Sequence, residues 1–276
     1  MALLHTRSAV AIAVALALAS AGPARADPTR TAGPVPGAPP VVFAPGVVSG
    51  SAHDTAPAFT PDGATVYFSR SNNEWSTILV SHRHGDTWTT PTIAPFSGEW
   101  SDLEPAMSPD GTFLIFVSNR SIRPDAAPLD GAWGGKVYPR DGGNLWRVER
   151  KGERLGEPVR LPDVVNTGTS IFAPAIARDG SVVFMRPDPT TARFRLYRSA
   201  LANGSYQPPV PLPFSDGTAT DVDPAIAADG SYLVFGSTRA PAAGMDLFLV
   251  FRTRTSWGTP IHLGAVVNAP GSDAEA

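Results

Sequence analysis

Cysteine is absent from all 276 residues, so neither a disulfide nor a thiol-linked lipid can hold this chain, and its stability must come from packing. Histidine is scarce, with five residues in all. The close pair His82 and His84 would seat a metal only if Asp86 joined them, yet Gly85-Asp86 reads as an exposed turn between strands. Surplus positive charge is missing too: a net charge of −3 gives no electrostatic reason to expect nucleic acid or an anionic membrane surface as partner. Beyond residue 26 no apolar run is long enough to span a bilayer. No Gly-x-Ser-x-Gly elbow, His-Glu-x-x-His helix, phosphate-cradling glycine loop or dinucleotide fingerprint occurs. Ser51, His53 and Asp54 contain the residue types of a triad, but as neighbours in one segment they cannot converge on a point.

The chain opens with His5 and Arg7 ahead of an apolar run from Ala9 to Ala19, and then Ala24-Arg25-Ala26. This pattern is a secretory signal, 1–26, with cleavage expected after Ala26, and it makes the mature chain periplasmic or secreted. Residues 27–39 are rich in Pro, Gly and Ala without any period, as in an extended linker. Residues 40–276 remain for one folded domain.

That domain says one thing four times. Asp54-Thr55-Ala56-Pro57-Ala58-Phe59-Thr60-Pro61-Asp62-Gly63 leads into Val66-Tyr67-Phe68. Ser101 to Gly111 leads into Phe113-Leu114-Ile115-Phe116-Val117, Ala173 to Gly180 into Val182-Val183-Phe184, and Asp221 to Gly230 into Tyr232-Leu233-Val234-Phe235. An extended segment, an Asp-Gly pair and a second apolar segment make a hairpin whose turn needs positive φ at the glycine. The strand after each turn is apolar on consecutive residues, so both its faces must be covered. A third apolar segment follows in each copy (Thr77–Val80, Leu145–Val148, Arg195–Tyr197, Leu247–Val250), then a poorer one around Pro91, Pro158, Pro209 or Pro260. Proline cannot donate to a ladder, which puts that fourth strand at the sheet edge. The fold class is therefore all-β: a β-propeller of four-stranded antiparallel blades, with repeats at about 51–97, 98–165, 166–215 and 216–265 and a partial fifth at 266–276. A β-sandwich would need alternating inward and outward residues, which these strands lack.

The Pro-x-x-Ser-Pro-Asp-Gly hairpin, the Phe-x-Ser-x-Arg ending of the second strand (Phe116 to Arg120, Phe235 to Arg239) and the Asp246-Leu247-Phe248 opening of a third strand resemble the TolB-type, WD40-like propeller repeats of bacterial envelope proteins. The resemblance covers nearly everything from Pro40 onward and implies a fold and a compartment, and only loosely a function. Repeat three departs most, with Ala177-Arg178 where the others tend to Ser/Thr-Pro. Pro40-Val41-Val42-Phe43-Ala44 resembles the fourth strand, as though the N-terminus lent an outer strand to a last blade, while Gly271 to Ala276 matches the approach to a fifth hairpin. Ser81 to Trp88 echoes the turn-marking Asp-box of sialidase-type propellers, with Arg83 in place of its Asp.

Acidic residues precede the innermost strands: Asp54, Asp102 with Glu104, Asp221 with Asp223, and Asp273 with Glu275. First strands line a propeller's channel, so these carboxylates are expected around one channel mouth, where they would attract a cation or a basic peptide segment. The alternative is that they accept hydrogen bonds inside the loops between blades. Blade three breaks the set, offering Ile171 and Ala173. Arg70, Arg120, Arg186 and Arg239 recur once per blade and are expected to pair with acids or carbonyls within it. The segment from Ser121 to Gly143 is far longer than its counterparts and carries Trp133, Lys136, Tyr138 and Arg140. Loops between second and third strands share a face with the channel mouth, so this insertion is expected to cover or extend it.

The expected function is that of an exported, non-catalytic binding module. It would take an envelope or secreted protein, a peptide segment or a small ligand at the acidic mouth, with no cofactor beyond a bound cation there. The alternative is a carbohydrate-active or hydrolytic propeller using channel carboxylates such as Asp102 and Asp221.

Overall fold

The computed structural model describes residues 41–72, 75–123 and 126–268; the signal 1–26, the linker 27–39 and Gly271 to Ala276 lie outside the described residues. Four antiparallel sheets form the four blades of a β-propeller, each a meander in chain order from the axis outward. The innermost strands are His53–Phe59, Asp102–Met107, Phe172–Ile176 and Asp221–Ile226. Second strands are Thr65–Ser71, Phe113–Ser118, Val182–Pro187 and Tyr232–Ser237, and third strands Ser76–His84, Asn144–Lys151, Phe194–Ser199 and Asp246–Phe251. The outermost are two-residue strands beside the repeat prolines: Thr92–Ile93, Val159–Arg160, Val210–Pro211 and Ile261–His262. Short, proline-flanked edges resist pairing with another chain.

The unbroken apolar runs are explained by stacking. Phe113–Ser118 is buried along its whole length, because Leu114 and Phe116 pack with Tyr67, Ile78 and Val80 of blade 1 while Ile115 and Val117 pack with Val182, Phe184 and Leu196 of blade 3. Phe68, Phe116, Phe184 and Phe235 fill equivalent places and are all fully buried. Each Asp-Gly turn is left-handed at its glycine, with φ of +65°, +72°, +78° and +71° at Gly63, Gly111, Gly180 and Gly230. In blade 1 the Asp62 carboxylate fixes the turn by accepting from the Thr60 hydroxyl at 2.6 Å and the Ala64 N–H at 3.0 Å. Repeats three and four have Ala177 and Ala227 in place of that hydroxyl, and their two turns are tied to each other, the Arg178 N–H donating to the Ala228 carbonyl at 2.7 Å.

One expectation is corrected at the N-terminus. Val41 to Ala44 pairs with no strand among the described residues. Phe43 instead packs edge-on against Phe59 and Trp88 at 5.2 and 5.3 Å, and Val48 closes a cluster with Val66, Phe68 and Leu79. The Ala44 carbonyl accepts the N–H groups of Val47 and Val48, a turn that bends the segment over the face of blade 1. Covering that apolar face is worth more than extending an edge.

Gly63→Ala forces a left-handed alanine into open space and should cost about 1–2 kcal/mol. At Gly111 an added Cβ would also meet Pro61 Cδ of the neighbouring turn at 2.8 Å, so Gly111→Ala should cost clearly more. Phe184→Ala should exceed Gly63→Ala, at about 3–5 kcal/mol. Urea unfolding of the three variants checks this order.

Candidate functional site

All four innermost strands carry the tripeptide x-Pro-Ala: Ala56-Pro57-Ala58, Glu104-Pro105-Ala106, Ala173-Pro174-Ala175 and Asp223-Pro224-Ala225. The residue before proline is normally extended, yet here it is left-handed in every blade, with φ of 50°, 51°, 48° and 48°. The strand register slips at each of these points, so the motif is a β-bulge. In blades 2 and 3 its backbone N–H turns toward the preceding blade: that of Glu104 donates to Ser69 Oγ at 2.7 Å, and that of Ala173 to Glu104 Oε2 at 2.6 Å. The four bulges line a central cavity of about 260 Å³. Glu104 and Asp223 are the acids in its wall, and burial pushes the Asp223 carboxyl up to about 6.

The five acids read from the sequence are therefore separated into two groups. Asp54, Asp102 and Asp221 do not line the central cavity; their side chains are 5%, 0% and 1% exposed and lie inside the blades. Each meets its blade's arginine: Arg70 Nε donates to Asp54 at 2.6 Å, Arg120 Nη2 to Asp102 at 2.9 Å and Arg239 Nη2 to Asp221 at 2.7 Å. The same guanidinium groups donate to the carbonyls of Val48, Phe96 and Phe214, which belong to the segment entering each blade. Burial raises the Asp102 carboxyl despite Arg120, and its Oδ2 has no hydrogen-bond partner. The assignment of these three to the channel mouth is thus corrected, because the bulge at residues 104 and 105 breaks the two-residue alternation that would have kept Asp102 and Glu104 on one face.

The long insertion forms its own hairpin, Gly131–Trp133 with Lys136–Tyr138. Trp133 stacks on Tyr138 with ring centroids 4.0 Å apart and packs edge-on to Phe172 at 5.8 Å. The Arg140 guanidinium lies over the Trp75 ring at 5.8 Å. Trp133 and Arg140 join Trp75, Phe172, Phe194 and Glu104 around a cavity of about 350 Å³. Glu104 lines both this aromatic cleft and the central cavity, so the two adjoin at its side chain. Lys136 is exposed, and neither it nor Tyr138 lines the cleft; Tyr138 serves by backing Trp133. Trp75, Phe172 and Phe194 were not singled out from the sequence. Phe172 carried a signal, because the other repeats place Thr55, Leu103 and Val222 at its position.

Other sequence candidates fall away from the site. His82 Nδ1 is 3.1 Å from the Thr65 hydroxyl, and His84 and Asp86 are exposed on the Gly85 turn. Asp54, held by Arg70, is unavailable to a triad with Ser51 and His53. Among the described residues no group of three His, Asp or Glu side chains converges to hold a metal.

No family model and no curated protein matches the sequence. Solved structures do. A TolB structure from Agrobacterium tumefaciens superposes with a TM-score of 0.50 at 16% identity, over 76% of this chain and 62% of that one. TolB from Acinetobacter baumannii gives 0.48 at 16% identity, over 78% and 44%, and a gluconolactonase from Xanthomonas campestris 0.47 at 13%, over 81% and 64%. At these identities the likeness is one of fold alone, that of a β-propeller. The chain spans about three-fifths of the Agrobacterium protein's length.

A raised carboxyl sets the sign of a pH effect. Between its ordinary pKa of 3.8 and about 6 the folded Asp223 keeps a proton that the unfolded chain has released; stability therefore falls as pH rises through that window and levels off above it. Asp223→Asn should remove this descending component, seen as a flatter dependence of the urea midpoint between pH 4 and 6.5. Asp221→Ala should instead destabilise around neutral pH by about 1–3 kcal/mol, since it leaves the half-buried Arg239 guanidinium without its acid.

Proposed function

We propose that this chain is an exported, periplasmic binding module that takes an extended segment of a partner protein across the aromatic cleft and into the channel mouth. The observation that carries the reading is the cleft itself: about 350 Å³ walled by Trp75, Trp133, Phe172 and Phe194, with the Glu104 carboxylate where it meets the channel. Aromatic walls favour an apolar side chain, and Glu104 with Asp223 favours a neighbouring Lys or Arg. No helix among the described residues is long and apolar enough to cross a membrane. Export rests on the first 26 residues as read from the sequence. The hydrolytic alternative is weakened by the burial of Asp102 and Asp221 against arginines, which leaves neither carboxylate facing a substrate.

Fluorescence anisotropy with labelled peptides that pair Phe or Leu with either Lys or Glu tests this. Lys-bearing peptides should bind saturably and weaken at higher salt, and both Trp133→Ala and the Glu104→Gln/Asp223→Asn double variant should lose about tenfold or more in affinity while still unfolding cooperatively. Equal binding of the Lys and Glu series, or variants that bind as the parent does, would overturn the proposal. Glycoside or lactone turnover that disappears in the double variant would favour the hydrolytic reading instead.

A further inference from the structure

Blade 3 keeps the arginine of the other blades and lacks its acid. Ile171, buried at 2% exposure, stands where Asp54, Asp102 and Asp221 stand in the other repeats. Arg186 follows Phe184 by two residues, as Arg70 follows Phe68, and the pairing of Phe172 with Met185 puts Ile171 opposite Arg186 just as Asp54 lies opposite Arg70. In blade 1 the guanidinium makes a two-pronged bond, Nε to Asp54 Oδ1 at 2.6 Å and Nη2 to Oδ2 at 3.2 Å. In blade 3 the same Nε is buried and has no partner. One Nη of Arg186 donates to the Thr167 hydroxyl, and the guanidinium lies 4.1 Å over the Tyr197 ring.

The surrounding charge does not compensate. Arg195 sits directly across the strand pair from Arg186, and Asp188 is already taken by it at 2.6 Å. Arg193, at the same end of the blade, donates to the carbonyls of Gly217 and Thr218. Arg186 also borders a cavity of about 520 Å³ whose wall includes Thr167, Thr169, Ser170, Pro187 and Pro189. This space is distinct from the aromatic cleft and the channel, with which it shares no lining residue.

We propose that this cavity is a second binding site, for a carboxylate brought in by a ligand, which meets the Arg186 guanidinium from the cavity side and supplies the charge that an aspartate supplies in the other blades. An unmet guanidinium donor and surplus positive charge call for an anion, and the two-pronged pairing in blade 1 specifies a planar carboxylate. Proline and isoleucine walls beside hydroxyl groups suit a small organic acid or the carboxyl end of a peptide.

The test uses the mature chain titrated with sodium succinate against sodium chloride at equal ionic strength, followed by calorimetry. Saturable succinate binding is expected, with a loss of about tenfold or more in Arg186→Gln. Ile171→Asp, which supplies the missing carboxylate within the chain, should abolish binding with Arg186 intact. If that variant does not fold, Arg186→Gln decides alone. A peptide that binds with a free C-terminus and not as its amide would identify a chain end as the carboxylate source, and succinate binding without either peptide would identify a small acid. Undetectable succinate binding, or equal affinity in the parent and Arg186→Gln, would overturn the proposal. The outcome is independent of Trp133 and Glu104, so it stands apart from any result at the cleft.

Discussion

Buried carboxylates held by arginine set how blades 1, 2 and 4 sit against the chain that enters them. Asp54, Asp102 and Asp221 have almost no access to water, and an isolated charge there would be very costly. Arginine answers it and with its remaining N–H groups reaches the incoming segment, through Val48, Phe96 and Phe214. One side chain thereby ties the innermost strand, the end of the second strand and the segment that enters the blade. The guanidinium comes from two different places, two residues after the core Phe in blade 1 and four after it in blades 2 and 4. Where it starts matters less than where it ends, which identifies the ion pair itself as the constrained feature. Such pairs add little net stability over an apolar substitute, but losing one partner is severe.

That constraint decides which acids remain for function. Three of the five channel candidates are consumed by the architecture, and the two that are left, Glu104 and Asp223, both occupy the x position of x-Pro-Ala. The bulge demands a backbone shape there and places little demand on the side chain, so the position carries Ala, Glu, Ala and Asp in successive blades. A left-handed residue other than glycine costs about 1–2 kcal/mol. Glu104 helps offset this cost in the next blade, because its carboxylate accepts the Ala173 N–H. It is at once a structural acceptor and the charge where two cavities meet.

The blades were legible because their period survives in plain sequence: Asp-Gly turns, doubly apolar second strands and proline-marked edges each recur at matching places. The arginine pairing was legible for the same reason in blades 1, 2 and 4, while Arg186 departs from it, meeting the Thr167 hydroxyl in place of an acid or a carbonyl. What could not be read was the side of the strand on which each acid falls. Alternation places residues 102 and 104 together, and only the unexpected φ at Glu104 parts them. The cleft was half legible: the insertion stood out by length and by its aromatic residues, while Phe172 and Trp75 come from strands and turns that no local pattern brings together. Phe43 was misassigned because its proline-flanked context imitates an edge strand, although the apolar face of blade 1 needed a cover more than the sheet needed an edge.

The inserted hairpin has the anchorage of a wall. Asn119 holds its two ends, donating from Nδ2 to the Arg140 carbonyl at 2.8 Å and accepting the Leu129 N–H on its own carbonyl at 2.7 Å. Ser170 of the blade 3 approach takes the Ala132 N–H at 2.8 Å, so blades 2 and 3 both grip it. Successive residues of a strand face opposite ways, and Ala132 borders the Arg186 cavity while Trp133 borders the aromatic cleft. A three-residue strand thus partitions the channel face between blades 2 and 3 into an apolar, acid-edged compartment and a cationic one. Any group that enters either compartment meets a surface already held in place, so the ordering cost of binding falls chiefly on the ligand.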